Sequence, residues 1–313
     1  MPWSGPIIRA MELRYHLLDV FTDVPFGGNQ LAVFVDAPAL EPALMQRIAR
    51  ELNLSETVFV VPPRDRSAAR ALRIFTPGME LPFAGHPTIG TALLLASLGV
   101  VPVDDAERGF LLEEQVGLVA VTVRTRSGGT QIAELVPARL PETQGSVPAR
   151  RELAALLGID ADDIVDDPDG DAPQAVSAGV PFLFVPVRDR AVLARVALDL
   201  GRWRELLAST WAPHVYLFSR DAEQGADIRA RMFAPAMGIT EDPATGGAAA
   251  ALAGYLAWRV AEREAELRWV VEQGIEMARP SRLEVMATKE GGVVRSVRVG
   301  GTAVRVGEGV LRI

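Results

Sequence analysis

The feature that most constrains the fold is an internal duplication built around two stretches that are helical in pattern and have no polar face. In the first half the chain reads Arg73-Ile-Phe-Thr-Pro77, then His86-Pro-Thr-Ile-Gly-Thr-Ala92, and runs into Leu93-Leu94-Leu95-Ala96. In the second half it reads Arg231-Met-Phe-Ala-Pro235, then Asp242-Pro-Ala-Thr-Gly-Gly-Ala248, and runs into an alanine-rich stretch ending at Trp258. The shared pattern is Arg-x-Phe-x-Pro followed by (His/Asp)-Pro-x-x-Gly-x-Ala, with 156 residues separating His86 from Asp242. A period near half the chain implies a duplicated domain rather than a solenoid. A helix apolar all round must be buried, and the β-rich runs flanking each one supply a sheet to wrap it.

Those runs lie at residues 13–21, 31–35, 57–61 and 71–75, within 109–136, at 181–187, 214–219 and 228–234, and from 265 to the end, where Gly-Gly turns interrupt them. Helical periodicity marks 42–52, with Leu44, Ile48, Ala49 and Leu52 on one face, and 150–157. The apolar helices are expected over 87–98 and 243–258. Residues 137–147, rich in Pro, Gly, Ser and Thr, read as a linker or long connection.

Each apolar helix begins unusually. His86 and Asp242 stand where an N-cap belongs, each followed by Pro. Asp is a good cap and His is a poor one, so His86 is expected to be there for another purpose. Unpaired N–H groups, the positive end of the helix dipole and Gly85, Gly90, Gly246 and Gly247 together suit a small carboxylate. Two such starts facing each other would hold it in a cleft, with His86 and Asp242 flanking it as acid–base candidates. The plain reading of Asp242 is a structural cap, and of His86 a satisfied polar residue. By pattern Glu56 is a solvated turn residue, and residues 27–30 are a turn with Asn29 stabilising a left-handed position.

Composition narrows the chemistry. A net charge of −8 argues against nucleic acid and anionic membrane as partners. With no cysteine there is no disulfide, iron–sulfur cluster, cysteine zinc site or thiol catalysis. The only lysine, Lys289, reads as part of an exposed hairpin turn, so Schiff-base chemistry is discounted. His16, His86 and His214 lack metal-ligand spacing, and no glycine-rich nucleotide fingerprint occurs. The longest apolar stretches are too short to span a bilayer, and the N-terminus lacks the form of a secretory signal. Residues 1–10 read as a frayed extension or a misplaced start. The expectation is a soluble, cytoplasmic protein acting without metal or cofactor.

Several of these residues carry a resemblance to the phenazine-biosynthesis isomerase (PhzF-like) family. The matching pieces are Asp19-Val-Phe-Thr, Gly28-Asn29-Gln-Leu-Ala-Val-Phe, Asn53-Leu-Ser-Glu56-Thr, the two repeat blocks, and Gln273-Gly-Ile-Glu-Met-Ala-Arg-Pro-Ser, in order over nearly the whole chain. The resemblance implies the diaminopimelate-epimerase-like fold, an α+β arrangement of two pseudo-symmetric domains. Each would be a β-barrel-like, mostly antiparallel sheet around a central apolar helix. The domains are expected at 11–128 and 129–301, with a C-terminal strand at about 302–313 returning to the first and the active site in the cleft between them. The resemblance further implies a homodimer and a cofactor-independent isomerase similar to trans-2,3-dihydro-3-hydroxyanthranilate isomerase. Glu56 matches the family's acid–base glutamate, and His86 and Asp242 match its other catalytic residues. Asn29, Gly85, Thr245, Gly246 and Gly247 match the region that holds the substrate's carboxylate. Gly247 departs from the serine usual there, and Ala278 from a usual glycine. The cysteine pair of the distant epimerase relatives has no counterpart here. Alternatives are an amino- or hydroxy-acid racemase, epimerase or dehydratase, or a non-catalytic binder of small acids.

Overall fold

The structure, a computed structural model, describes residues 11–37, 40–103 and 107–313. The extension read at residues 1–10 lies outside the described residues. Strand β1 (Glu12–Val20) pairs antiparallel with β2 (Asn29–Phe34), which runs parallel to β3 (Glu56–Val61) after helix α1 (Pro42–Leu52). β3 pairs antiparallel with β4 (Ala68–Phe75). β4 then receives the short β5 (Glu80–Leu81) antiparallel and, after α2 (Gly85–Ser97), β6 (Glu107–Glu114) in parallel. β7 (Gly117–Thr125) and β8 (Gln131–Leu135) add antiparallel neighbours.

The second half repeats this pairing. After β9 (Glu142–Thr143) and α3 (Arg150–Leu157), β10 (Gln174–Ser177) is antiparallel to β11 (Pro181–Pro186). Helices α4 (Arg190–Arg195) and α5 (Leu200–Leu206) lead to β12 (His214–Ser219), parallel to β11 and antiparallel to β13 (Ile228–Ala234). β13 receives β14 (Ile239–Asp242) antiparallel and, after α6 (Gly246–Trp258), β15 (Ala265–Gln273) in parallel. β16 (Ser281–Glu290) and β17 (Val293–Gly301) complete the series, and the last strand is β18 (Ala303–Arg312). Every parallel step needs a crossover, and each crossover is helical. The apolar helices α2 and α6 are two of these crossovers.

The halves join where β8 pairs antiparallel with β17, Leu135 opposite Val299. Beyond that seam the chain exchanges strands, β9 pairing with β10 and β18 with β1. Helix α2 touches β1, β2, β3, β7, β8 and β18, and α6 touches β10, β11, β15, β16 and β17. Each sheet therefore curls round its helix without closing; among the described residues no pairing joins β18 to β8 or β9 to β17. All of α2 from 85 to 95 is buried, as is α6 at Gly246 and 248–257. Burying a leucine contributes about 2 kcal/mol, so each helix is held by its apolar surface rather than by caps. Among the described residues no helix is long and apolar enough to cross a membrane.

Two expectations are corrected. Lys289 is not in an exposed turn. β16 continues to Glu290, and its two-residue alternation puts Lys289 on the buried side with Val285 and Ala287. There its ammonium donates to the Val260 carbonyl at 2.5 Å, and the turn falls instead on Gly291 and Gly292, both at positive φ. Residues 137–147 are not merely a linker, since they contain the exchanged strand β9.

Candidate active site

The two central helices start at Gly85 and Gly246, with Ala84 and Thr245 as N-caps and no side-chain capping bond at either. His86 is thus the second helical residue, and Asp242 is the last residue of β14; neither is the cap expected of it. Nor are they equivalent in the repeat. Ile74 pairs with Leu81 and Met232 pairs with Asp242, so Leu81 is the counterpart of Asp242. Counting on from the caps, Gly247 is the counterpart of His86. The sequence alignment slipped because the β13–β14 turn is three residues longer than the β4–β5 turn. The true equivalence is also visible in two ion pairs, Arg73 with Glu80 and Arg231 with Glu241.

Gly85 and Gly246 meet at the pseudo-twofold axis. A Cβ on Gly85 would lie 3.0 Å from Gly246 Cα, and one on Gly246 would lie 3.2 Å from Gly85 Cα. Only glycine lets the helix starts approach this closely. With no side-chain capping bond among the described residues, their first-turn N–H groups are open to a ligand. A Cβ on Gly247 would meet nothing within 4 Å, so that position faces open space.

Around this contact the fold gathers Glu56, His86 and Asp242 from β3, α2 and β14. Glu56 Oε2 lies 3.1 Å from His86 Nε2, within ion-pair distance but outside hydrogen-bond geometry, and both atoms are buried without a hydrogen-bond partner among the described residues. Asp242 Oδ1 accepts from Asn29 Nδ2 at 2.8 Å and Oδ2 from the Thr245 hydroxyl at 2.6 Å. Asn29 also donates to the Ala244 carbonyl at 3.0 Å and lies 3.3 Å from His86 Nδ1. It opens β2 and is fully buried; the positive φ of this turn falls on Phe26 and Gly28 instead. Glu56, read by pattern as solvated, is only 7 % exposed, because its strand begins under the α2 start rather than at the surface.

Burial governs the charges. It lowers the pKa of His86 to about 3, offset only in part by the Gln30 backbone, so the ring is neutral. Burial, and then the Asp242 charge, push Glu56 well above the ordinary carboxylate range. Asp242 is raised by burial to about 6, with Thr245 and Asn29 holding it down. Near pH 7 the site holds one carboxylate kept ionised by two donors and one whose proton affinity is high, the separation that acid–base chemistry requires.

Gln273, at the end of β15, was not singled out as a site residue. It is fully buried and donates to the Asp242 carbonyl at 2.7 Å and to Thr245 Oγ1 at 3.0 Å, while its own Oε1 accepts from the Thr245 N–H at 3.3 Å and the Tyr216 hydroxyl at 3.4 Å. A glutamine before Gly274, itself at positive φ, was the available signal. Among the described residues no group of three or more His, Asp and Glu gathers as a metal site would require.

The phenazine biosynthesis-like family matches residues 18–309, nearly the whole chain. The chain belongs to the PhzF family. Among PhzF-family relatives, an uncharacterized isomerase of Mesorhizobium japonicum is 41% identical, covering 97% of this chain and all of that one. The trans-2,3-dihydro-3-hydroxyanthranilate isomerase of Pseudomonas fluorescens is 36% identical, covering 95% and 99%. The crystal structure of a PhzF-family protein of Bacillus anthracis superposes with a TM-score of 0.87 at 26% identity, covering 97% and 100%. This PhzF-family chain is an isomerase, with the α+β fold of its relatives.

Proposed function

We propose that the chain isomerises, without a cofactor, a small cyclic carboxylic acid of the type that names its Pseudomonas relatives, trans-2,3-dihydro-3-hydroxyanthranilate. The observation that carries this reading is the buried Glu56–His86 pair, 3.1 Å apart, beside Asp242 at two uncapped helix starts. Glu56 is the base. Its raised proton affinity lets the ionised form take a proton from a ring carbon. The C–H electron pair passes into the conjugated system, and the same carboxyl returns the proton to another carbon, so atoms and charge balance. The helix N–H groups hold the substrate carboxylate and stabilise the developing negative charge. Asp242 and His86 orient the ring and serve as proton partners.

The same reading takes residues 11–128 with 302–313 and residues 129–301 as two domains with the substrate between them. It takes the protein as a cytoplasmic homodimer with neither nucleic-acid nor membrane partners, which equilibrium sedimentation tests for the dimer. For the reaction the test is proton NMR with trans-2,3-dihydro-3-hydroxyanthranilate in deuterated buffer. Wild type converts it and Glu56→Gln does not. Turnover that survives Glu56→Gln refutes the assigned base, and an inert wild type refutes the substrate. Deuterium entering an α-carbon of an amino or hydroxy acid would indicate a racemase or epimerase instead.

A further inference from the structure

The pseudo-twofold gives the active site a second half that the mechanism above leaves unused. Leu31 pairs with Glu56 and Phe182 with His214; Thr57 pairs with Phe75 and Val215 with Phe233. Since Phe75 and Phe233 occupy the same place in the Arg-x-Phe repeat, His214 is the counterpart of Glu56. Stepping back along β2 and β11 makes Val180 the counterpart of Asn29. The set Glu56, His86, Asn29 and Asp242 is therefore mirrored across the Gly85–Gly246 contact by His214, Gly247, Val180 and Leu81.

Three polar members are replaced by apolar ones or by glycine, and only the fourth position stays polar. His214 points to the same side of β12 as Tyr216, whose hydroxyl reaches Gln273, and like Glu56 it opens its strand. It is 5 % exposed, and its Nδ1 is buried without a hydrogen-bond partner among the described residues. A buried ring nitrogen left unpaired is costly, so one that persists invites a partner supplied by a ligand. Gly247, standing where His86 stands in the other half, leaves open space, and Leu81, Val180 and Gly247 are all partly exposed.

We propose that His214, Gly247, Leu81 and Val180 form a second half-site that receives the substrate ring opposite Glu56, with His214 binding a hydroxyl or amino substituent on it. This rests on the isomerase reading and extends it to specificity. Burial keeps the ring neutral, its pKa lowered to about 4, so one nitrogen donates and the other accepts. Leu81 and Val180 cover the ring's apolar surface.

The experiment is equilibrium binding of three stable aromatic probes, 3-hydroxyanthranilate, anthranilate without the hydroxyl, and 3-hydroxybenzoate without the amine. They are measured on wild type, His214→Phe and His214→Asn. Wild type loses about tenfold in affinity when the contacted substituent is missing. His214→Phe binds the full probe about tenfold more weakly and no longer distinguishes it from the truncated one. His214→Asn, which keeps a donor and an acceptor, retains part of the discrimination and guards against a folding artefact. If 3-hydroxyanthranilate binds but both discriminations survive His214→Phe, the half-site proposal alone falls. If it does not bind wild type, the proposed substrate class falls and takes this inference with it.

Discussion

Glu114 provides the sharpest test of how burial sets charge in this fold. It ends β6, and the β4–β6 and β13–β15 registers make it the counterpart of Gln273. Its Oε1 is 2.6 Å from the Thr88 hydroxyl, which also lies 2.7 Å from the Ala84 carbonyl, and its Oε2 is buried without a partner. One hydroxyl proton cannot serve two acceptors. A neutral Glu114 donating to Thr88, which in turn donates to Ala84, satisfies both contacts. In keeping with this, burial pushes Glu114 from an ordinary 4.5 up to about 8. The folded state thus holds this proton more tightly than the unfolded chain does. The stability that Glu114 contributes must fall as pH rises from 4.5 towards 8 and level off above it. At about 1.4 kcal/mol per pH unit the loss is roughly 3 kcal/mol at pH 6.5 and roughly 4 kcal/mol at pH 8, levelling near 5 kcal/mol above that. Glu114→Gln installs the residue of the symmetric position and removes the titration. Urea unfolding at pH 5, 6.5 and 8 should show the variant within about 1 kcal/mol of wild type at pH 5 and increasingly more stable above it. A difference that stays constant from pH 5 to 8 would mean Glu114 titrates normally, and the argument from burial would be wrong.

The remaining predictions concern the site directly. In kcat/KM profiles the acidic limb should lie well above 4.5, activity falling as Glu56 becomes protonated; a limb at ordinary carboxylate pH would remove the basis for Glu56 as a strong base. Asn29→Leu deletes a donor to Asp242, so the Asp242 carboxyl, measured by carbonyl NMR titration, should titrate about one to two pH units higher. Gly85→Ala forces a Cβ to 3.0 Å from Gly246 Cα and should cost about 1–3 kcal/mol by chemical denaturation, whereas Gly247→Ser, entering open space, should leave stability within about 0.5 kcal/mol. Equal effects at the two glycines would contradict the close helix contact.

The sequence by itself carried the duplication, the two buried helices and, through its family motifs, the trio Glu56, His86 and Asp242. Helix interiors and strands are legible because apolar periodicity is a local signal: α1, α3, β12 and β13 begin and end where their patterns do. The starts of α2 and α6 were misplaced because side-chain capping normally marks a helix start, and among the described residues neither start carries a side-chain capping bond. The pairing of His86 with Asp242 across the repeat was likewise an error of linear counting. A turn three residues longer moves every later position, and only strand pairing, Met232 with Asp242 and Ile74 with Leu81, restores the register. The burial of Lys289, the grip of Gln273 on Thr245, the acid Glu114 and the standing of His214 opposite Glu56 were decided by tertiary structure alone. Each depends on groups from elements far apart in the chain, and desolvation where they meet, which no local pattern encodes, determines which groups keep their protons.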